Sequence, residues 1–137
     1  MLRIETKSRA RALQILYAWE LEGRQPIPGV ATGVARLTGP EPRILDRAEE
    51  LAADIVADVE ALDSEIAQAA ENWRMSRIAV VERNILRLGI HELRRGEVPP
   101  KVAIDEAVQL AHWFGGARAP AFVNGVLDGV ARSLGRL

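Results

Sequence analysis

The sequence contains no cysteine. Disulfides, thiolate metal sites and cysteine nucleophiles are therefore excluded, and the usage fits a reducing cytoplasm. No stretch approaches the roughly 20 apolar residues that a membrane span needs. The opening MLRIETKSRAR alternates charge with single apolar residues and lacks the apolar run of a signal peptide. The expectation is a cytoplasmic protein with no membrane partner. Strand alternation, repeats of useful period and low-complexity tracts are missing as well. Catalytic signatures are equally scarce. His91 and His112 have no second His or Cys at ligand spacing. Ser8, Ser64, Ser76 and Ser133 sit in no nucleophile-elbow context. GVATGVARLTG has no flanking strand and does not end in Gly-Lys-Ser or Gly-Lys-Thr, as a phosphate loop requires. No catalytic residue, metal site or cofactor is expected, and the reading is of a protein that is not an enzyme.

What is present is an ordinary globular composition, 48% hydrophobic and 27% charged over 137 residues, enough for one domain with a real core. A formal net charge of −1 by itself predicts no polyanionic partner. Its distribution is uneven. Residues 41–72 carry ten acids against Arg43 and Arg47, whereas residues 73–101 carry seven cations against Glu82, Glu92 and Glu97. The first eleven residues hold Arg3, Lys7, Arg9 and Arg11 against Glu5 alone. Such segregation permits a basic patch on a nearly neutral protein.

Helical period dominates. Ala12, Ile15, Leu16 and Trp19 form the stripe of an amphipathic helix that Thr6 can cap and Gly23 can end. Gly and Pro in residues 23–42 predict a long connection with room for one short helix. Leu45, Ala48, Leu51, Ala52, Ile55 and Val59 mark the next helix, whose opposite face is acidic and is expected to be solvated. Asp63 can cap a further short helix that ends near Trp73. Ser76 then opens the most apolar helix, with Ile78, Val81, Ile85 and Leu88 on one side and Leu86, Ile90 and Leu93 on another. A helix apolar on two sides is central to a bundle. Gly96 and Pro99-Pro100 stop it. Ile104, Ala107, Val108 and Ala111 mark a helix closed by Gly115-Gly116, and the last helix begins near Pro120. The expected fold is an all-α bundle.

Several features suit binding. Lys7, Arg11 and Gln14 share a face of the first helix, with Arg9 displaced from it. The cations can reach phosphates, and the Gln amide can bond to a base edge. They sit at the helix end that disfavours cations, which suggests an anionic partner. Tyr17, with Glu20 and Leu21 beyond it, either stacks on a base or completes the core. On the central helix Arg83, Arg87 and His91 recur at steps of four. They are either a single exposed face or a docking surface with Glu82 as acceptor for a partner's cation. In FVNGVLDG, Gly125 and Gly129 lie four apart and are read as admitting a neighbouring helix backbone, while the Asn124 amide is free to bond to a nearby loop. Phe122, beside Arg118, is either buried or placed to stack on a nucleobase. Trp113 and the two-glycine face also leave both monomer and homodimer open.

Taken in order, SRARALQILYAWE (8–20), ERNILRLGIHEL (82–93), VPPKVAIDEAVQLAHWFG (98–115) and FVNGVLDG (122–129) resemble the transcription antitermination factor NusB family. The resemblance implies a bundle of about seven helices in two subdomains, covering 1–137 as one RNA- and protein-binding domain. It implies binding of a single-stranded boxA element in nascent ribosomal RNA together with the ribosomal protein NusE, and indirect assembly with other Nus factors on RNA polymerase. By position, Lys7 and Arg9 match the family's arginine-rich, RNA-contacting start, and Arg118 and Phe122 match its second RNA-contacting region. Tyr17, Leu21, Glu82 and Arg87 fall on the NusE-facing surface. Glu5 and Thr6 stand where the family often has Arg, so weak RNA binding alone and useful binding with NusE is expected. Two other readings are a protein-only adaptor and a detached NusB-like domain of an RNA-modifying methyltransferase. The latter requires a strand–helix cofactor domain, for which these residues carry no pattern.

Overall fold

A computed structural model describes residues 2–70 and 73–137. Among these residues the chain forms seven α-helices and no strand: α1 (Ile4–Leu21), α2 (Ile27–Thr38), α3 (Pro42–Ala57), α4 (Val59–Ala69), α5 (Val80–Arg95), α6 (Pro100–Phe114) and α7 (Ala119–Ser133). The all-α expectation is met. The chain divides into two compact units, one ending at Ala57 and the other running from Asp58 to Leu137.

In the first unit α1 packs against α2 and α3, and α2 against α3. The stripe Ala12, Ile15, Leu16 and Trp19 is buried as its spacing predicts, each large apolar side chain contributing about 1.5–3 kcal/mol by leaving water. α1 starts earlier than expected: the Arg3 carbonyl already accepts from the Lys7 N–H at 3.0 Å, which places Thr6 inside the helix rather than at its cap. Its end bends through Gly23 at φ +81° and Arg24 at φ +61°. The second angle is unfavourable for a side chain bearing a Cβ. Arg24 is held there by its guanidinium, 4.6 Å over the Trp19 ring, and by a 2.9 Å ion pair with Glu20.

The Gly/Pro-rich connection holds one helix, and that helix takes twelve of its residues. Ile27, Val30, Ala31 and Val34 recur at helical spacing and are buried, while Gly29 and Gly33 face open space. Tertiary burial outweighs the glycines' poor propensity. On α3, Ile44, Ala48, Ala52 and Ile55 point inward and Asp46, Glu50 and Asp54 outward.

In the second unit α5 packs against α4, α6 and α7. It is buried continuously from Asn84 to His91, as a central helix should be. Its start differs from the expectation. Ser76 belongs to a short 3-10 turn, Met75–Arg77, and α5 begins only at Val80. The Arg83 guanidinium fastens that turn by donating to the carbonyls of Met75 and Ile78, each at 3.1 Å. Gly96, at φ +70°, closes α5 with the left-handed residue that helix ends favour.

The tight helix approach exists, but not at the expected glycines. A Cβ on Gly125 or Gly129 would meet nothing within 4 Å, and Asn124 is exposed. The outer side of α7 is therefore open, and the Asp128–Arg132 ion pair (2.9 Å) occupies part of it. That hydrogen bond first, and the carboxylate's charge second, raise the Arg132 pKa above its ordinary value. The close approach is at Gly89 of α5, where a Cβ would stand 2.6 Å from Cδ1 of Leu127 in α7.

Candidate nucleic-acid interface

The sequence-predicted residues separate by environment. In the first unit Lys7 is exposed in the first turn of α1, and the exposed Arg3 precedes it by one turn. Arg9 is different: it retains only 8% of its surface. A guanidinium so covered is not the freely exposed phosphate contact that the sequence suggested. Arg11 is half-buried and donates to Gln14 Oε1 at 2.7 Å, which leaves the Gln14 amide N–H groups as donors. Tyr17 and Leu21, one turn apart, are 40% and 59% exposed. Tyr17 does not complete the core.

α2 and α3 border a shallow cleft of about 200 Å³ lined by Ile27, Pro28, Asp46, Glu49, Glu50 and Ala53. Its carboxylates repel a polyanion. Among the described residues no group of three His, Cys, Asp or Glu is arranged to hold a metal.

In the second unit the steps of four on α5 are not an exposed face. Arg87 is 1% exposed. Its Nε and Nη2 donate to the two carboxylate oxygens of Asp63 at 2.7 and 2.9 Å, and its Nη1 donates to Asn84 Oδ1 at 2.9 Å. Asp63, expected to cap a helix, lies within α4 and serves this pair instead. His91 is buried too. Arg87 is thus a strut between α4 and α5, not a docking residue.

Glu82 is also turned inward. Its Oε1 accepts from the Gly116 N–H at 3.1 Å, and its Oε2 is buried without a hydrogen-bond partner. The approach requires Gly115, where a Cβ would stand 2.9 Å from Glu82 Oε1 and 2.6 Å from the Ala119 Cβ. Glu82 therefore ties α5 to the connection that leads into α7. Arg118 ends that connection, exposed, at the N-terminal boundary of α7. Phe122, one turn on, is half-buried and makes an edge-to-face contact with Trp73, ring centroids 5.7 Å apart. In the sequence Trp73 marks only a helix end. Its sole local signal was an aromatic beside Arg74 in a polar segment.

The sequence profile described as the NusB family matches residues 6–132. The chain belongs to the NusB family. Among NusB relatives, it is 45% identical over 130 residues to the transcription antitermination protein NusB of Sorangium cellulosum (strain So ce56), covering 94% of this chain and 92% of that protein. NusB from T. maritima superposes with a TM-score of 0.84 at 27% identity, covering 96% of this chain and 93% of that one. A crystal structure of the antitermination factors NusB and NusE in complex with double-stranded RNA gives a TM-score of 0.84 at 28% identity, covering 97% and 99%. Among the described residues no NusB helix here is long and apolar enough to cross a membrane.

Proposed function

We propose that this chain is a transcription antitermination factor that binds boxA-type RNA of nascent ribosomal RNA transcripts together with ribosomal protein NusE. On this reading it joins other Nus factors and RNA polymerase indirectly, in the cytoplasm, as a binding protein rather than an enzyme. The observation that carries the reading is its likeness, along nearly its full length, to a NusB solved with NusE and RNA. Lys7, Arg3 and Arg118 are the exposed cations that fit phosphate contacts, with Gln14 and Phe122 as groups for bases. Tyr17 and Leu21 are the accessible part of the protein-docking set.

Binding of a boxA-bearing single-stranded RNA, with and without NusE, over a salt series tests this. These three phosphate contacts predict a log–log slope of about −2 or steeper, from about −0.7 per phosphate on single strands. Binding is expected to be stronger with NusE and weaker to a duplex of the same sequence. Charge reversal at Lys7 and Arg118 should flatten the slope by about 1.4, the share of two contacts. A complex with NusE that is indifferent to RNA would instead make the chain a protein-only adaptor.

A further inference from the structure

We propose that Trp73 and Phe122 together form a platform for splayed, unpaired nucleobases, with Arg74, Arg77 and Arg118 as its phosphate-holding rim. The inference deepens the RNA-binding reading and rests on it. Trp73 is 55% exposed, an unusual place for a side chain that gains so much from burial. It is nonetheless held, because its ring meets that of Phe122 at 67° with centroids 5.7 Å apart. An edge-to-face contact uses at most one face of each ring, so the pair remains available for further stacking.

Cations stand beside both rings in the sequence. Residues 73–81 contain Arg74 and Arg77 and no acid, and residues 115–127 contain Arg118 and no acid. All three arginines are exposed. Glu82, which follows the first of these segments, has one oxygen bonded to the Gly116 N–H and the other buried. Aromatic faces bordered by cations suit single-stranded nucleic acid, in which stacking and phosphate contacts act together.

The ring geometry selects the form of RNA. Two rings at 67° cannot both lie parallel to one stack of bases. They accept two bases turned away from each other, as in a loop or an extended strand, and not consecutive pairs of a duplex. The two rings come from the segment before α5 and the first turn of α7, 49 positions apart, so the platform exists only in the folded chain.

The test uses the full chain with NusE and a short single-stranded RNA bearing a boxA element. Trp73→Leu keeps an apolar contact for Phe122 and removes the stacking face; Trp73→Phe keeps both. Trp73→Leu should bind about tenfold more weakly at every salt concentration, the scale of one lost base stack, with an unchanged salt slope. Trp73→Phe should stay within about threefold of the parent. RNA should also quench indole emission more in the parent than in Trp73→Phe, a readout independent of any folding defect in the Leu variant. Parent-like binding by Trp73→Leu, or equal quenching, would overturn the platform while leaving the RNA-binding reading intact. A Leu variant that loses affinity for NusE without RNA would reassign the surface to a protein and also overturn it. Absence of RNA binding by the parent would instead remove the underlying reading.

Discussion

Asp63→Ala is expected to destabilise the protein by about 3–5 kcal/mol, the range for removing one partner of a buried ion pair. The Arg87 guanidinium is 1% exposed, with two of its nitrogens on the Asp63 carboxylate at 2.7 and 2.9 Å. Alanine removes the carboxylate that holds two nitrogens of that buried charge. Asn84 still accepts one hydrogen bond, but a neutral amide does not replace a bidentate carboxylate. The Asp63 side chain is 28% exposed, so water entering the vacated space should place the loss toward the lower end of the range. Arg87→Met should be milder, because it removes the buried charge itself, keeps most of the stem's volume and leaves an aspartate that water can reach. Urea unfolding of the three proteins, followed by far-UV circular dichroism, checks both statements. A loss below about 1 kcal/mol for Asp63→Ala would class the pair with surface ion pairs and refute the strut.

The second large effect is a contrast between glycines. Gly89→Leu should destabilise by about 3 kcal/mol or more through overpacking. Even the first added carbon would stand 2.6 Å from Cδ1 and 3.0 Å from Cδ2 of Leu127. Leu127 is itself fully buried and has little space into which to retreat. Gly125→Leu should be neutral or stabilising by up to about 1 kcal/mol, because it adds helix propensity where a Cβ meets nothing within 4 Å. Thermal unfolding of both variants decides the matter. Equal losses at the two sites would mean that the α7 face is covered and Gly89 is not uniquely close.

These two cases also mark what the sequence could and could not disclose. Burial stripes such as Ala12, Ile15, Leu16 and Trp19 were legible because a helix repeats them within a few residues. The length of α2 was less legible, because Gly29 and Gly33 carry weight in a local propensity but none in packing that they face away from. Arg87 and His91 looked exposed because charge recurred at helical spacing. The partner that takes Arg87 inside, Asp63, lies 24 positions away, beyond any periodicity. The same applies to Gly89 and Leu127, and to Trp73 and Phe122. For the candidate interface, Lys7, Tyr17, Leu21 and Arg118 were named from the chain and are placed at the surface. The tilt of Glu82 toward Gly116, the covering of Arg9 and the aromatic pair arise only from tertiary contacts.

The open side of α7 has a practical value. The chain has no thiol of its own, so a cysteine introduced at Gly125 would be the single attachment point for a dye or spin label. It would sit one helical turn from Phe122, in a place where an added side chain displaces nothing. A probe there would report on the proposed platform from outside it, in a fold that has no need of that surface to hold together.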